Sequence, residues 1–244
     1  MSDSAIDIRN LRFAYHDGRV ALDRITLSIG KGEKAAVVGA NGAGKSTLLL
    51  HLNGLLSGSG SVSVMGTPIA RRSLNSVRRQ VGLLFQDPDD QLFSPTVFDD
   101  VSFGPLAHGL PEAEARQRTA EALEQVGLSG YERRSPHHLS YGEKKRVALA
   151  TVLAMWPRIL ALDEPTANLD PRSRRHLLDI LKQYDGTLVI ATHDLEAALA
   201  LCSRAIVLDK GTIACDGRVS DLLSDAGLME RTGLEVPLSL KLAR

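Results

Sequence analysis

The chain is predicted to be an α/β protein. It should have a mostly parallel sheet covered by helices, an antiparallel β region at the N-terminus, and an inserted α-helical subdomain. Three observations carry this expectation. A short apolar run at residues 34–38 passes through a glycine-rich loop into a leucine-bearing helical stretch that begins at Lys45. Over residues 159–208 apolar strands alternate with helical patterns, the order that builds a parallel sheet. Between about residue 87 and residue 156 strand patterns give way to helical spacing. With 244 residues, 43% of them hydrophobic, the chain can bury such a core as one domain carrying a smaller lobe.

From the N-terminus, Ile6-Asp7-Ile8, Leu11-Arg12-Phe13 and Ile25-Thr26-Leu27-Ser28-Ile29 alternate as half-buried strands do, with turns at His16-Asp17-Gly18 and Gly30-Lys31-Gly32. Tyr15 closes the second run. It reads either as an exposed strand-end aromatic or as a flat ring for a base to stack on, and its neighbours do not choose between the two. Ser57-Gly58-Ser59-Gly60 reads as a flexible turn before a strand at 61–64. Val81-Gly82-Leu83-Leu84-Phe85 reads as a short buried strand that ends at Gln86. In the helical lobe, Thr96 and Asp99 offer a capped helix start and Pro111 stands at a helix entrance. Ala115, Ala122, Leu123 and Val126 then recur at helical spacing before Gly127. The core resumes with Ile159-Leu160-Ala161-Leu162, a buried-strand pattern. A helix at 171–184, a strand at 188–191, a helix at 194–202, a strand at 205–208 and a last short strand from Gly211 follow. In the tail, Leu234, Val236, Leu238, Leu240 and Leu242 alternate, which fits an edge strand or a docking segment. The expected organisation is one domain over 1–227, with its helical subdomain at about 87–156, and a tail over 228–244.

Lys+Arg and Asp+Glu both number 29, so no global charge calls for nucleic acid or an anionic membrane, and no nucleic-acid partner is expected. Cys202 and Cys215 match no metal or redox spacing and read as small apolar fillers of a reducing compartment. Met1-Ser2-Asp3-Ser4 is acidic and polar, without the apolar core of a secretory signal. No run approaches the roughly 18 apolar residues of a membrane span, so work at a membrane would need another chain to hold the protein there.

Gly39-Ala40-Asn41-Gly42-Ala43-Gly44-Lys45-Ser46-Thr47 is a phosphate-binding P-loop in the strand-to-helix context the motif requires. Gly39, Asn41, Gly42 and Gly44 let the backbone curl so that successive N–H groups face a phosphate chain, and the helix N-terminus adds its positive dipole. Lys45 can reach the β- and γ-phosphates, Ser46 can ligate Mg²⁺, and Thr47 can reach the α-phosphate. Leu162-Asp163-Glu164 closes the strand at 159–162, and ligands of parallel sheets sit at such carboxyl ends. Asp163 is therefore placed to hold Mg²⁺, and Glu164 to orient and deprotonate an attacking water. The alternative is an acidic strand exit, since Asp-Glu-Pro is a natural turn. His193, just past the strand at 188–191, can hydrogen-bond a γ-phosphate and water. Gln86 occupies a matching strand end, where a neutral amide could sense both Mg²⁺ and water.

Ser140-Tyr141-Gly142-Glu143 has the form of a capping box. Read plainly, it starts the helix that carries Lys144, Lys145 and Arg146. Read as a site, Ser140, the Gly142 amide and the helix N-terminus form a second anion site on the other lobe.

Leu139-Ser140-Tyr141-Gly142-Glu143, Asp163-Glu164-Pro165-Thr166, Ala167-Asn168-Leu169-Asp170 and Thr192-His193-Asp194 occur in this order. In this they resemble the nucleotide-binding subunits of ABC transporters, over roughly residues 5–220. The resemblance implies a RecA-like P-loop NTPase core and ATP hydrolysis with Mg²⁺. It also implies a head-to-tail dimer with a second copy, in which each ATP lies between the P-loop of one subunit and Ser140 and Gly142 of the other. By the same resemblance Tyr15 is the adenine-stacking aromatic, Gln86 the Q-loop, Asp170 the D-loop aspartate and His193 the switch histidine. Tyr141 departs from the pattern, which usually has glycine there. A tyrosine is tolerable if Gly142 supplies the important amide, and slows turnover if it crowds the γ-phosphate.

A narrower likeness covers Phe85-Gln86-Asp87-Pro88-Asp89-Asp90-Gln91-Leu92-Phe93-Ser94-Pro95-Thr96-Val97. This run resembles the ATPases of energy-coupling-factor (ECF) importers, and within them the cobalt and nickel members. It implies a place on the cytoplasmic face of the membrane, held by a T-component and a substrate-binding membrane component. An acidic groove of Asp87, Asp89 and Asp90, with Gln91, would receive arginines of the T-component. An ABC importer with another permease is the nearest rival. A soluble ABC-type ATPase acting on DNA or ribosomes would show a coiled-coil insertion or two fused cassettes, and a P-loop kinase leaves residues 139–143 unexplained.

Overall fold

A computed structural model describes residues 4–242. In chain order it contains β1 (Ser4–Ala14), β2 (Val20–Gly30), β3 (Lys34–Val38), α1 (Lys45–Leu52), β4 (Ser59–Val64), β5 (Thr67–Pro68), α2 (Leu74–Arg78) and β6 (Val81–Leu84). Three long helices follow: α3 (Val97–Ala107), α4 (Glu112–Gln125) and α5 (Tyr141–Leu153). Next come β7 (Ile159–Asp163), α6 (Pro171–Lys182), β8 (Thr187–Thr192), α7 (Leu195–Leu201), β9 (Arg204–Asp209) and β10 (Thr212–Arg218). The chain closes with α8 (Val219–Ser224), α9 (Ala226–Arg231) and α10 (Leu238–Leu242).

The alternating N-terminal runs pair as an antiparallel sheet in the order β2-β1-β4-β5. The continuous apolar runs, joined by the half-exposed β10, build the second sheet, in the order β10-β9-β3-β8-β7-β6. There β3 lies parallel to both β8 and β9, and β7 parallel to β8, with β10 antiparallel at the edge. All five residues of β3 except Lys34 are fully buried, as are the first four of β7, which is why these strands carry no polar face.

Two compact units result. The first holds residues up to 83, 158–164 and from 185 onward; the second holds 84–157 and 165–184. The second unit is thus the helical lobe expected at 87–156, enlarged by α6. The apolar face of α6, Leu177, Leu178 and Leu181, is buried. A side chain on Gly142 would meet Ser173 Oγ of α6 at 2.6 Å, so the start of α5 and α6 pack closely. The βα alternation alone assigns that helix to the sheet.

Two further expectations change. The stretch 57–60 is not a flexible turn: a Cβ on Gly58 would lie 2.3 Å from the Arg12 carbonyl oxygen, so the backbones are pressed together where β4 begins. The tail is helical rather than an edge strand. Asp225 caps α9 through the Leu228 amide (2.9 Å), and Pro237 accepts from Leu240 and Lys241 (both 3.1 Å) at the start of α10. Ser239 pins this segment, donating from N (3.0 Å) and Oγ (2.7 Å) to the Glu196 carboxylate on α7. Cys202 is buried, which pushes its thiol up to about 12 and fits a filler role. Among the described residues no helix is long and apolar enough to cross a membrane.

Candidate functional site

The first unit presents the carboxyl ends of β3, β8 and β7 side by side, because these strands are neighbours and parallel. From β3 the chain enters the glycine loop. Gly42 (φ 80°) and Gly44 (φ 106°) are left-handed, and a Cβ on Gly44 would stand 2.5 Å from the Ala21 carbonyl oxygen. Glycine is required there on both counts. Gly44 is also the N-cap of α1, and no side chain caps that helix. Its first-turn N–H groups are therefore available to an anion, with the helix dipole behind them. Lys45 is buried and folds back over the loop, its Nζ donating to the carbonyls of Gly39 (2.9 Å) and Ala40 (3.2 Å). Ser46 is exposed.

Across the sheet, Asp163 ends β7 and Glu164 follows in a left-handed conformation (φ 42°). Such a backbone costs a non-glycine residue of order 1–3 kcal/mol and marks an over-determined position. The hydrogen bonds supply the determination. The Glu164 amide donates to the Ala191 carbonyl (2.8 Å), and its carboxylate accepts from Thr192 Oγ1 (2.9 Å) and the His193 amide (3.0 Å). His193 Nδ1 lies 2.8 Å from the same carboxylate, and Lys45 Nζ 3.8 Å. Lys45, Glu164, Thr192 and His193 thus form one cluster, in which Glu164 is buried and His193 exposed. Tyr15 joins the P-loop helix through a 2.9 Å contact of its hydroxyl with Thr47 Oγ1.

In the second unit the capping box at Ser140 is complete: the Glu143 carboxylate accepts from the Ser140 amide (2.9 Å) and the Ser140 hydroxyl accepts from the Glu143 amide. The Ser140 hydroxyl, then the Ser140 amide and Tyr131, hold the Glu143 carboxyl below its ordinary value. The Tyr141 hydroxyl donates to the Gln86 carbonyl (3.4 Å). Asp170 caps α6 by accepting from the amides of Arg172 (2.9 Å) and Ser173 (3.0 Å). The hydrogen bonds from Ser173 keep its pKa low.

Sequence reasoning gave one residue of this unit no role and expected another at the surface. Lys145 is fully buried, and its Nζ donates to the carbonyls of Gln86 (2.6 Å) and Phe85 (3.0 Å), which fixes the chain where the strand ends. A lysine on an otherwise apolar stripe of α5 was the available signal. Gln91, expected in the acidic groove, faces inward. It donates to the Ala148 carbonyl (2.8 Å) and Thr151 Oγ1 (2.7 Å) and accepts from the Phe85 amide (3.2 Å). Of the acidic set, Asp87 caps the 3₁₀ turn Pro88–Asp90, Asp89 pairs with Lys144 at 2.7 Å, and Asp90 is exposed. Beside them Phe93 (67% exposed) and Phe103 (55% exposed) stand edge to face, leaving aromatic surface uncovered.

The donor set suits a magnesium nucleotide. Ser46 and Asp163 offer one hydroxyl and one carboxylate, both hard oxygen donors. Among the described residues no three His, Cys, Asp or Glu side chains gather to hold a metal by themselves. Mg²⁺ is commonly bound in this way, by few protein ligands with phosphate oxygens completing the shell.

A P-loop, an acidic pair at the end of the parallel strand two places across the sheet and a histidine just past the strand between them define a P-loop nucleoside triphosphatase. Residues 22–167 match the family model described as ABC transporter, and the chain belongs to that family. It is an ATPase that uses ATP with Mg²⁺. An energy-coupling factor transporter ATP-binding protein, EcfA, of Methanothermobacter thermautotrophicus is 48% identical over 95% of this chain and 76% of its own length. The solved structure of cbiO1 from Clostridium perfringens, part of the ABC transporter complex cbiONQ, is 37% identical with a TM-score of 0.83 and covers 99% of both chains. A dimeric ATP-binding cassette in a post-hydrolysis state, bound to ADP and Pi, is 27% identical with a TM-score of 0.79, over 88% of this chain and 98% of that one.

Proposed function

We propose that the protein is the ATP-hydrolysing subunit of an ECF-type importer, that it works as a head-to-tail dimer with a second copy of itself, and that its cargo is cobalt or nickel ions. The observation that carries the hydrolytic part is the cluster of Lys45, Glu164 and His193 at the ends of three adjacent strands. The importer type is supported by the likeness to EcfA and cbiO1, and the cargo by the run at residues 85–97.

In this reading the triphosphate of ATP takes over the Lys45 ammonium from the loop carbonyls and accepts from the amides of the loop around Gly39, Asn41, Gly42 and Gly44. Thr47 contacts the α-phosphate, and adenine stacks on Tyr15. Ser46 and Asp163 would hold Mg²⁺, with the Gln86 side-chain amide as a further oxygen donor. The ion, when bound, neutralises charge on the β- and γ-phosphates. Glu164 orients and deprotonates a water for in-line attack on the γ-phosphate, and His193 hydrogen-bonds the phosphoryl group. Ser140 and the Gly142 amide of the second copy close over the γ-phosphate, with Asp170 at the same junction. Product release reopens the dimer. Movement then passes to the T-component, which with the substrate-binding component holds the protein at the cytoplasmic face of the membrane. Asp87, Asp89 and Asp90 make the coupling groove, and Gln91 braces it from inside.

The test is ATP-dependent dimerisation of Glu164→Gln, followed by size-exclusion chromatography with light scattering. A dimer should form with ATP and be lost when Lys45→Ala or Ser140→Ala is added. A dimer indifferent to Ser140→Ala would refute the shared site.

A further inference from the structure

Stacking a base on Tyr15 requires only the face of its ring, yet the side chain is tied down by its hydroxyl. The phenol oxygen stands 2.9 Å from Thr47 Oγ1, on the first turn of the P-loop helix. Phe13 meets the Tyr15 ring edge-on at 5.1 Å and the His51 ring edge-on at 5.0 Å. His51 is 1% exposed, and its Nδ1 lies 2.7 Å from the Thr47 carbonyl oxygen. A carbonyl only accepts, so Nδ1 carries the proton. Burial keeps the imidazole pKa below its ordinary value, hence the ring neutral. Thr47 is therefore held at both ends, by Tyr15 at the hydroxyl and by His51 at the backbone, and Phe13 wedges the two rings.

Either hydroxyl of the Tyr15–Thr47 pair could donate. A phenolic O–H is a stronger hydrogen-bond donor than an aliphatic O–H, because the ring delocalises the charge on its oxygen. With Tyr15 donating, the Thr47 hydroxyl keeps its own proton for another acceptor, and the accepted bond strengthens it as a donor. We propose that Tyr15 is a positioning residue for phosphate binding as well as a stacking ring: its hydroxyl fixes the Thr47 side chain and leaves the Thr47 O–H to be given to a phosphate oxygen of the nucleotide. This rests on the reading of Thr47 as a phosphate contact. Its consequence is that base and phosphate recognition share one side chain, so phenylalanine at this position would keep the stack and still weaken the phosphate grip.

Binding of ATP·Mg²⁺ and of tripolyphosphate·Mg²⁺, which has no base, separates the two roles in the full chain. Tyr15→Phe should weaken both ligands by about two- to tenfold, the worth of one neutral hydrogen bond. Thr47→Val should weaken both, Thr47→Ser should restore them, and Tyr15→Phe should add nothing further to Thr47→Val, since the two act through one bond. A purely structural role would shift the thermal midpoint without that non-additivity. Wild-type affinity of Tyr15→Phe for tripolyphosphate overturns the proposal. Unchanged binding by Thr47→Val overturns it together with the reading of Thr47. If Tyr15→Ala loses no more ATP affinity than Tyr15→Phe while both lose tripolyphosphate, adenine stacking fails and the positioning role is upheld.

Discussion

Replacing Glu164 with glutamine should separate ATP binding from hydrolysis. The amide keeps the side-chain shape, and its oxygen in the Oε2 position can still accept from Thr192 Oγ1 (2.9 Å) and the His193 amide (3.3 Å), while the acceptor at Oε1 is lost. It removes the negative charge 3.8 Å from Lys45 Nζ, where both side chains are 7% exposed. At that distance and an effective dielectric of about 20 the gross attraction is about 4 kcal/mol, much of it offset by the desolvation of both charges. The nucleotide-free variant should therefore lose about 1–3 kcal/mol of stability, as buried charges left without a partner do. The same attraction holds Lys45 away from a triphosphate, so the variant should bind ATP more tightly than the wild type. Turnover should fall by about 10²–10⁴, the usual contribution of a general base. Calorimetric titration with ATP·Mg²⁺ and steady-state phosphate release measure the two effects separately. Turnover within a few-fold of the wild type would remove Glu164 from its role.

Lys145→Met keeps the length of the buried side chain but removes the bonds to Gln86 and Phe85. Relief of a buried cation offsets part of the loss, so the net destabilisation should be about 1–3 kcal/mol, read as a lower denaturation midpoint; an unchanged midpoint would show that the bonds are dispensable. His51 carries its signature in pH. Its folded pKa lies below the ordinary 6.5, so between those values the unfolded chain binds a proton that the folded chain does not. Its contribution is fully present above 6.5 and is lost as pH falls toward the folded value. His51→Gln should flatten that slope in pH-dependent unfolding, and an unaltered slope would place the titration elsewhere.

Local signals were legible in the sequence. A strand, a glycine loop and a helix declare themselves within twenty residues, and the capping box at Ser140 needs only four. The parallel core was legible because its strands are apolar on both faces. What escaped depends on partners distant along the chain. Lys145 is a surface-type residue until Phe85 and Gln86 fold over its ammonium, and Gln91 turns inward because Ala148 and Thr151 offer it partners. Helix α6 follows a core strand in sequence yet packs with the helical lobe, where Gly142 admits Ser173. The tail alternates like a strand, but Asp225 and Pro237 start helices there. Glu164 could be placed beside the P-loop from its strand end. Its left-handed backbone and its anchoring by Thr192 and His193 could not, because both depend on β8 lying next to β7.

The central claim, an ECF-type importer ATPase, is tested most directly by purifying the tagged protein from native membranes in mild detergent and identifying its partners by mass spectrometry. The expected result is a T-component together with a small metal-binding membrane protein. A conventional permease with an external binding protein, or no membrane partner at all, would contradict it.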